Sequence, residues 1–342
     1  MKVFEIRGQT GTSKILIGER IRNLPFHIPG ARVIFITDQT VRGLFPDVFS
    51  GYVTVEIPAG EESKSLDTAA FIYGKLVELE ADRTTFLVAV GGGVVSDVAG
   101  FAASTFLRGL DFGYVATTLL AQVDASVGGK TGVNFKGYKN MIGVIHQPRF
   151  VLCDPAFLAT LPRRHFLSGM AEIVKHAVIG SPRLFLSLEQ RSKDALELRG
   201  DFLEDIIYQS VGIKAAIVGR DEKEAGERRK LNFGHTLGHA LEACLGVSHG
   251  EAVSLGMVMA AELSARKGLL SREEAGRVSG LLQSLGLPTY TAFDRRAVLD
   301  AVRRDKKRTG SKIKFVFLKG IGEPAVEDLD FEELEGYIHD LR

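Results

Sequence analysis

The chain has 342 residues, of which 45% are hydrophobic and 25% are charged, and this length predicts two domains. Its 43 Lys and Arg residues nearly balance its 42 Asp and Glu residues, so no net charge attracts nucleic acid or an anionic membrane surface. Cys153 and Cys244 form no CxxC motif, and neither a signal peptide nor an apolar run of about 18 residues is found. We therefore expect a cytoplasmic protein that binds neither nucleic acid nor membrane.

The first half of the chain alternates short apolar runs with helical spacing. The apolar runs are "ARVIFITD" (31–38), "GYVTVEIPAG" (51–60), "TTFLVAVGGG" (84–93) and "FGYVATTLL" (112–120). Their Val, Ile, Phe and Thr content is typical of strands, whereas "SLDTAAFIYGKLVELEA" (65–81) carries apolar residues at helical intervals. This alternation predicts an α/β domain over residues 1–155, with a Rossmann-like parallel sheet and ligands at the carboxyl ends of its strands.

Helical patterns dominate the second half from "SGMAEIVKHAVIG" (168–180) onward. Two further examples are "EDIIYQSVGIKAAIVGRDEKEA" and "HGEAVSLGMVMAAELSARKG". We therefore expect a mainly α-helical domain over residues 156–342.

A glycine-rich turn follows the third apolar run, in "VAVGGGVVSDVAGFAAS" (88–104). Backbone amides at such a helix start can hold a pyrophosphate, although the pattern is not GxGxxG and a purely structural turn explains it equally well. Asp97 favours a ligand, because a carboxylate near a pyrophosphate is costly unless it contacts hydroxyls or nicotinamide. It is also consistent with an ordinary charge near a helix N-terminus.

Two other stretches carry polar residues of the kind found in binding sites. Glu61 and Lys64 in "PAGEESKS" (58–65) follow a strand, where they suit an adenosine ribose, but a solvated loop is the simpler interpretation. Residues 106–148 place several charged and amide side chains within an apolar, glycine-rich frame. These are Arg108, Asp124, Lys130, Lys139 and Asn140. Because buried charge is costly unless it is paired or bound to a ligand, this stretch predicts a site for a polyhydroxylated anion.

Three of the eight histidines lie within residues 235–249. "NFGHTLGHA" (232–240) places His235 and His239 on one helical face, but Thr236 stands where zinc proteases have a glutamate. A helix bearing Glu172 supplies a carboxylate, and two histidines with one carboxylate leave zinc an open position for substrate. The spacing predicts a metal site without deciding which histidines bind.

Six stretches of the sequence form a distinctive set: "GGGVVSDVAGF", "LRGLDF", "TTLLAQVDASVGGKTGVNFKGYKNMIG", "GMAEIVKH", "NFGHTLGHA" and "HGEAVSLGM". Through these stretches, the chain resembles the 3-dehydroquinate synthase family from about residue 30 to about residue 318. The departures are Ser96, Phe106 and Ala116, where the family usually has glycine, tyrosine and proline. None of these positions supplies a functional side chain in the family.

The resemblance implies that Glu172, His235 and His249 bind a divalent metal, zinc or alternatively cobalt. His239 then becomes a helper that orients or moves a proton, and Glu251 is compatible with an orienting partner of His249. The resemblance also implies a set of NAD-binding residues. They are Asp38, Glu61, Lys64, Gly92, Gly93, Val94, Asp97, Thr117, Thr118, Lys139, Phe157 and Thr160.

A further set is implied to contact an anionic sugar-phosphate substrate or to take part in catalysis. It comprises Arg108, Asp124, Lys130, Asn140, Lys175, Lys214, Glu224, Arg228, Asn232, His239 and Lys306. Lys307 is the alternative to Lys306, and Lys139 also lies near substrate. In the family, Arg108 reaches the phosphate of the neighbouring subunit, which implies a homodimer. The family position of Glu224 is linked to proton handling. An exposed salt bridge is an equally good interpretation of this residue.

The implied reaction is the cyclisation of 3-deoxy-D-arabino-heptulosonate 7-phosphate to 3-dehydroquinate. Transient oxidation at C5 by NAD acidifies the C6 proton, phosphate leaves by elimination, the hydride returns, and an intramolecular aldol step closes the ring. Two enzyme classes compete with this interpretation: cyclases that act on sedoheptulose 7-phosphate or glucose 6-phosphate, and metal-dependent polyol dehydrogenases. The retained cations around the substrate carboxylate argue against the first class, and the phosphate-binding cluster argues against the second. A catalytically silent paralogue predicts eroded ligand positions, and none is eroded.

Overall fold

The computed structural model describes residues 1–29, 32–303, 308–309 and 312–340, with the backbone alone for 308–309. Its strands are β1 (Lys2–Gly8), β2 (Gly11–Ile17), β3 (Val33–Asp38), β4 (Val53–Ile57), β5 (Phe86–Gly91), β6 (Phe112–Ala116), β7 (Lys130–Phe135), β8 (Tyr138–Ile145), β9 (Phe150–Cys153), β10 (Arg308–Thr309), β11 (Lys312–Gly320) and β12 (Glu323–Asp330). Its α-helices are α1 (Gln39–Leu44), α2 (Leu66–Glu78), α3 (Gly93–Thr105), α4 (Arg163–Gly180), α5 (Pro182–Leu196), α6 (Gly200–Arg220), α7 (His235–Leu245), α8 (His249–Arg266), α9 (Arg272–Ser284), α10 (Arg295–Arg303) and α11 (Phe331–Asp340). Over the described ranges, no helix is both long enough and apolar enough to cross a membrane.

The chain forms two compact units. Unit 1 comprises Met1–Pro162 and Lys214–Lys223, and unit 2 comprises Arg163–Ile213 and Glu224–Arg342. The sequence predicts one boundary after residue 155, and no sequence pattern indicates the short segment that returns to unit 1. That segment carries Lys214, one of the predicted substrate residues.

Unit 1 is built on a seven-stranded sheet in the order β1-β2-β9-β6-β5-β3-β4. All neighbouring strands are parallel except β1 and β2, which pair antiparallel at one edge. The predicted α/β class and parallel sheet are confirmed, and the four predicted strands correspond to β3, β4, β5 and β6. The β1–β2 pair and the separate antiparallel hairpin of β7 and β8 are not among the predicted elements.

The strand order reverses between β3 and β5, which is where such sheets bind ligands. The chain passes from β3 to β4 on one side and then returns to β5 on the other side of β3. A crevice is expected beyond the carboxyl ends of the two central strands at such a reversal. Asp38 ends β3, and Gly92 and Gly93 directly follow β5. The sheet order therefore brings the predicted glycine turn to this edge.

The central strands are buried on both faces, as the near-continuous apolar runs in the sequence require. Phe35, Val88, Val90, Val115 and Leu152 are among the buried members of the core of unit 1. This core fixes the strand ends from which the polar loops emerge.

The returning segment of unit 1 is tied to the sheet by the Glu222 carboxylate. Its oxygens accept hydrogen bonds from the backbone amides of Gln9 (2.8 Å) and Thr10 (3.3 Å), the Thr10 hydroxyl (2.7 Å) and Gln147 Nε2 (2.8 Å). Burial raises the pKa of Glu222, but these hydrogen bonds outweigh it and hold the pKa below its usual 4.5. Glu222 therefore stabilises the fold in its charged form.

The lowered pKa predicts how the stability of Glu222→Gln depends on pH. A carboxylate whose pKa is lower in the folded state stabilises the protein above the unfolded-state pKa, and this contribution is lost as the pH falls through the folded-state pKa. We expect the substitution to lower the free energy of unfolding by about 2 kcal/mol at pH 7, with the difference shrinking at acidic pH below 4.5. Urea denaturation at several pH values measures this. Glu62→Gln, at an exposed residue, is the control, and a pH-independent difference would contradict the assignment.

Unit 2 combines helices with a small antiparallel sheet in the order β10-β11-β12. The predicted mainly α-helical character is confirmed, whereas this sheet is not among the predicted elements. Helix α4 lies at the centre of the unit and is buried over most of its length, including Met170, Ile173, Val174 and Ala177.

Helix α8 approaches both α4 and α7 at positions where only glycine fits. A Cβ atom at Gly256 would lie 2.0 Å from the carbonyl oxygen of Gly234 and 2.7 Å from the amide nitrogen of Gly238. A Cβ atom at Gly250 would lie 2.3 Å from the Cα of Ser168. Because these neighbours are backbone atoms, they cannot rotate away. The glycines therefore fix how closely the three helices pack.

Gly256→Ala tests this packing directly. We expect the added methyl group to lower the free energy of unfolding by about 1–3 kcal/mol, since it overlaps backbone on α7. Gly276→Ala is the matched control in α9, where a Cβ atom meets nothing within 4 Å. There the substitution should stabilise the helix by about 0.5–1 kcal/mol. Chemical denaturation of both variants measures the difference, and equal effects would refute close packing at Gly256.

Candidate active site

The carboxylate of Glu172 lies at the centre of a polar cluster in unit 2. Glu172 has no exposed surface, and its Oε1 lies 3.5 Å from Nε2 of His235 and 3.2 Å from Nε2 of His249. Its other oxygen, Oε2, forms an ion pair with Lys175, one helical turn later on α4. The two oxygens therefore face different partners: two imidazoles on one side and an ammonium group on the other.

Three helices bring these side chains together. Glu172 lies on α4, His235 is the first residue of α7 and His249 is the first residue of α8. Each residue offers one ligand atom, and the three atoms lie within 4.8 Å of one another. Two imidazole nitrogens and one carboxylate oxygen are ligands suited to zinc or cobalt. The donor set therefore fits a divalent metal ion with a position left open for substrate.

Hydrogen bonding selects the nitrogen that His235 presents to Glu172. Its Nδ1 lies 3.1 Å from the carbonyl oxygen of Phe233. A carbonyl oxygen only accepts, so Nδ1 carries the proton and Nε2 presents its lone pair. Burial, followed by the nearby Lys175 cation, holds the pKa of His235 well below its usual range. The ring is therefore neutral, as a metal ligand must be.

His249 has a different electrostatic environment. Burial alone would lower its pKa, but contacts with Glu172 and Glu242 raise it to about 9. Glu242 Oε2 lies 3.8 Å from Nδ1 of His249, on the side of the ring opposite Glu172. Without a metal ion, His249 is therefore protonated at neutral pH and lies between two carboxylates.

Glu242 is a residue of this site that the sequence analysis missed. Glu251, whose sequence position is compatible with an orienting partner of His249, forms a capping box at the start of α8 with Ser248, whose backbone amide donates to Glu251 Oε2 at 2.8 Å. Glu242 follows His235 by seven residues and His239 by three, so helical spacing places all three on one face of α7. This helical spacing is the sequence signal that could have identified Glu242 as a residue of the site.

His239 is exposed and lies one turn after His235. Its ring centroid is 5.2 Å from that of His235 and 6.4 Å from that of His249. It does not belong to the group of ligand atoms around Glu172. The structure thus places the second histidine of the HTLGH stretch at the margin of the cluster.

The other predicted residues of unit 2 surround a short 3₁₀ turn, Glu227–Asn232. Arg228 is buried there, and Asn232 Nδ2 donates a hydrogen bond to Glu224 Oε1 at 2.5 Å. A 3₁₀-helix has 3.0 residues per turn, whereas an α-helix has 3.6. Arg228 and Asn232, four residues apart, therefore do not share one face as they would on an α-helix. Glu224 adopts a left-handed backbone conformation, with φ +60°. Lys306 lies outside the described residues.

In unit 1, the glycine turn is packed tightly against the segment that follows β6. A Cβ atom at Gly92 would lie 2.9 Å from the Thr118 side chain, and one at Gly93 would lie 3.1 Å from Ala125 Cβ. The Thr117 amide donates a hydrogen bond to Gly91 O at 3.0 Å. Val94 is partly buried in the first turn of α3, where Gly92 provides no side-chain cap. The first amides of this helix are therefore suited to a phosphate ligand.

Two of the polar residues predicted near this turn form a partly buried ion pair. Lys64, which is buried, donates a hydrogen bond to Asp97 on α3. Burial raises the pKa of Asp97, although the Lys64 ammonium acts in the opposite direction. Glu61 is exposed and accepts a hydrogen bond from Asn134 Nδ2 at 2.9 Å. Within "PAGEESKS", Glu61 is therefore exposed to solvent whereas Lys64 is buried.

A second buried cation in unit 1 is held by Asp124. Lys214 Nζ donates to both the backbone oxygen and Oδ1 of Asp124, each at 2.6 Å. Asp124 lies in the π-helical turn Ala121–Ala125. This contact joins the returning segment to the long polar and apolar block.

The remaining predicted residues of unit 1 have varied environments. Lys130 begins β7, and Lys139 and Asn140 lie early in β8, all exposed. Asp38 caps α1 by accepting from the Val41 amide at 2.9 Å, and Thr160 is exposed. Phe157 is buried in the apolar core with its ring 4.8 Å from that of Phe45. Arg108 is exposed in a turn with φ +68°.

Comparisons with known proteins bear on what these residues do. The family model described as "3-dehydroquinate synthase N-terminal" matches residues 54–168, and that described as "3-dehydroquinate synthase C-terminal" matches residues 169–308. A 3-dehydroquinate synthase of Dehalococcoides mccartyi is 42% identical over 331 residues, covering 92% of each chain. These matches extend over both units.

Two solved structures share the fold over almost the whole chain. One is a 2-deoxy-scyllo-inosose synthase complexed with carbaglucose-6-phosphate, NAD⁺ and Co²⁺. It is 27% identical in sequence, the match covers 98% of this chain and 99% of the synthase chain, and the TM-score is 0.87. The other is a 2-epi-5-epi-valiolone synthase from Streptomyces hygroscopicus with NAD⁺ and Zn²⁺ bound. It is 28% identical in sequence, the match covers 99% of this chain and 98% of the synthase chain, and the TM-score is 0.88.

Proposed function

Because the chain belongs to the 3-dehydroquinate synthase family, we propose that it converts 3-deoxy-D-arabino-heptulosonate 7-phosphate into 3-dehydroquinate and inorganic phosphate. This makes it a phosphate-eliminating carbon–oxygen lyase of the shikimate pathway. The observation that carries the proposal is the buried Glu172 carboxylate, which faces two histidines with one oxygen and Lys175 with the other. This arrangement supplies a metal site and an adjacent cation for an anionic substrate.

We assign a divalent metal ion, zinc or cobalt, to Glu172, His235 and His249. The assignment is supported by the donor chemistry, by the neutral His235 ring and by Lys175, which occupies Oε2 and leaves Oε1 for the ion. A bound ion of this kind polarises a substrate hydroxyl as a Lewis acid. Lys175 keeps the carboxylate in place, and the Phe233 carbonyl keeps His235 in the correct tautomer.

NAD is assigned to the carboxyl edge of the parallel sheet in unit 1. Its proposed contacts are Asp38, Glu61, Lys64, Gly92, Gly93, Val94, Asp97, Thr117, Thr118, Lys139, Phe157 and Thr160. Support comes from the switch point between β3 and β5 and from the uncapped, glycine-bounded start of α3. Bound NAD accepts a hydride and returns it in each turnover. Lys64 offsets the charge of Asp97, so that this carboxylate can remain near a pyrophosphate.

The proposed substrate contacts are dominated by cations. In unit 2 they are Lys175, Arg228 and Asn232, with Glu224 and His239 proposed to handle protons. In unit 1 they are Lys130, Asn140 and Lys214, with Asp124 fixing Lys214. Arginine suits bidentate contact with a carboxylate or phosphate, whereas each lysine supplies a point charge. Lys306 is retained in the proposal on the resemblance alone.

We also propose that the enzyme is a cytoplasmic homodimer in which Arg108 reaches the partner's substrate. Arg108 is exposed and, together with Leu107, lies in a turn of two consecutive left-handed residues. Such conformations cost about 1 kcal/mol or more each when the residue is not glycine, so they occur where the surroundings require them. An intersubunit contact of Arg108 would meet that requirement.

Turnover of the proposed substrate tests the function. Purified protein incubated with heptulosonate phosphate, one equivalent of zinc and a catalytic amount of NAD should release phosphate continuously. Because the cofactor is regenerated in each cycle, the absorbance of NADH should show no net increase. Phosphate release and NADH are measured in the same reaction.

Other outcomes of this experiment identify the rival functions. Stoichiometric accumulation of NADH would identify a polyol dehydrogenase. Inertness toward heptulosonate phosphate combined with turnover of sedoheptulose 7-phosphate or glucose 6-phosphate would identify a sister cyclase. Either result would overturn the proposal.

A further inference from the structure

Helices α7 and α8 carry a second group of potential metal ligands beside the Glu172 cluster. His239, Glu242 and His249 each offer one ligand atom, and these three atoms also lie within 4.8 Å of one another. His249 belongs to both groups. The other two members lie on α7, three residues apart, on the face that also carries His235.

The two nitrogens of His249 face opposite carboxylates. Nε2 lies 3.2 Å from Glu172 Oε1, whereas Nδ1 lies 3.8 Å from Glu242 Oε2. Once its remaining N–H proton is lost, the imidazole ring carries one lone pair on each nitrogen, and these point away from each other, so one ring can bind an ion on either side. When Nε2 binds a metal ion on the Glu172 side, Nδ1 therefore still points toward Glu242.

The second group is accessible from solvent. His239 is exposed, while Glu242 and His249 are each partly buried. The His239 ring centroid is 6.4 Å from that of His249, and an exposed side chain can rotate to shorten this separation. Zinc binds imidazole nitrogen and carboxylate oxygen at about 2.0–2.2 Å and completes its coordination with water. The donor types match those of the first group.

We propose that His239, Glu242 and Nδ1 of His249 form a second divalent-cation site adjacent to the metal site of the proposed function, on whose ligand assignment the inference rests. With both nitrogens coordinated, the ring of His249 carries no N–H, so binding of the second ion releases one proton to solvent. Glu172 and Glu242 each place a carboxylate beside one ion. Two dications across one ring still repel each other, so the second ion binds about tenfold or more weakly than the first.

Occupation of the second site has a consequence for turnover. His239 is the exposed histidine assigned to proton handling, and a metal ion bound to it removes its lone pair from that role. The first equivalent of metal therefore activates the enzyme, and excess metal inhibits it. The inhibitory ligand is a divalent cation that prefers nitrogen, such as zinc or cobalt, rather than magnesium, which prefers oxygen.

Metal stoichiometry tests the proposal without reference to catalysis. Metal-free protein is titrated with ZnCl₂ by calorimetry, and bound zinc is counted by elemental analysis after equilibrium dialysis. Wild type should bind two ions per chain, one tightly and one more weakly. His239→Ala should bind only the tight ion. His235→Ala should lose the tight step.

Two further variants keep the test independent of folding defects. Glu242→Gln removes the carboxylate of the second group and should also lose the weak step. Glu251→Gln alters a carboxylate in the exposed Ser248 capping box and should retain both steps. Circular dichroism of each variant verifies that it is folded.

A single ion per wild-type chain at saturating zinc, or two ions in His239→Ala, would overturn the proposal. If wild type binds one ion and still forms dehydroquinate, the second site alone is refuted. If it binds no ion and forms no product, the proposed function fails with it. Activity of wild type measured against zinc should rise with the first equivalent and fall as the weak step saturates.

Discussion

The cluster in unit 2 depends on how the charge of one buried carboxylate is balanced. Glu172 has no exposed surface, so its charge must be compensated by groups of the protein or by a bound cation. Lys175 compensates one oxygen from the same helix. The other oxygen faces two imidazoles, of which His235 is held neutral by burial and by that same lysine. Without a metal ion, the protonated His249 supplies the positive charge at Oε1, and a bound cation would take over that role.

The GHTLGH stretch (234–239) repeats both a glycine and a histidine at helical spacing. Gly234 and Gly238 lie four residues apart and meet α8 at Gly256, where no side chain fits. His235 and His239 follow these glycines by one residue each and share one face of α7. Contact through backbone at the glycines holds α7 close to α8, and this closeness places His249 beside His235, with their ring centroids 5.6 Å apart. Packing and ligand geometry have the same cause.

Much of the fold could be predicted from local patterns, because strands buried on both faces and amphipathic helices leave strong signals. β11 and β12 lie among charged residues near the end of the chain and follow a long run of helical patterns, which obscured their sheet. The segment Lys214–Lys223 begins within the continuous helix α6, so no change of composition marks its return to unit 1.

The histidine spacing predicted a metal but not its ligands. Whether His239 or His249 lies beside Glu172 depends on the approach of α8 to α4 at Gly250, a tertiary contact without a local signature. The proposed ligand set came only from the resemblance. Glu242 was missed although its spacing on α7 was visible, because Glu251 stood nearer to His249 in the sequence.

The central claim is that Glu172, His235 and His249 form the tight metal site. X-ray absorption at the zinc edge, with one equivalent of zinc per chain, measures the ligands directly. Our account predicts two imidazoles with oxygen ligands in wild type, the same spectrum in His239→Ala, and loss of one imidazole in His249→Ala. Retention of both imidazoles in His249→Ala together with loss of one in His239→Ala would contradict it.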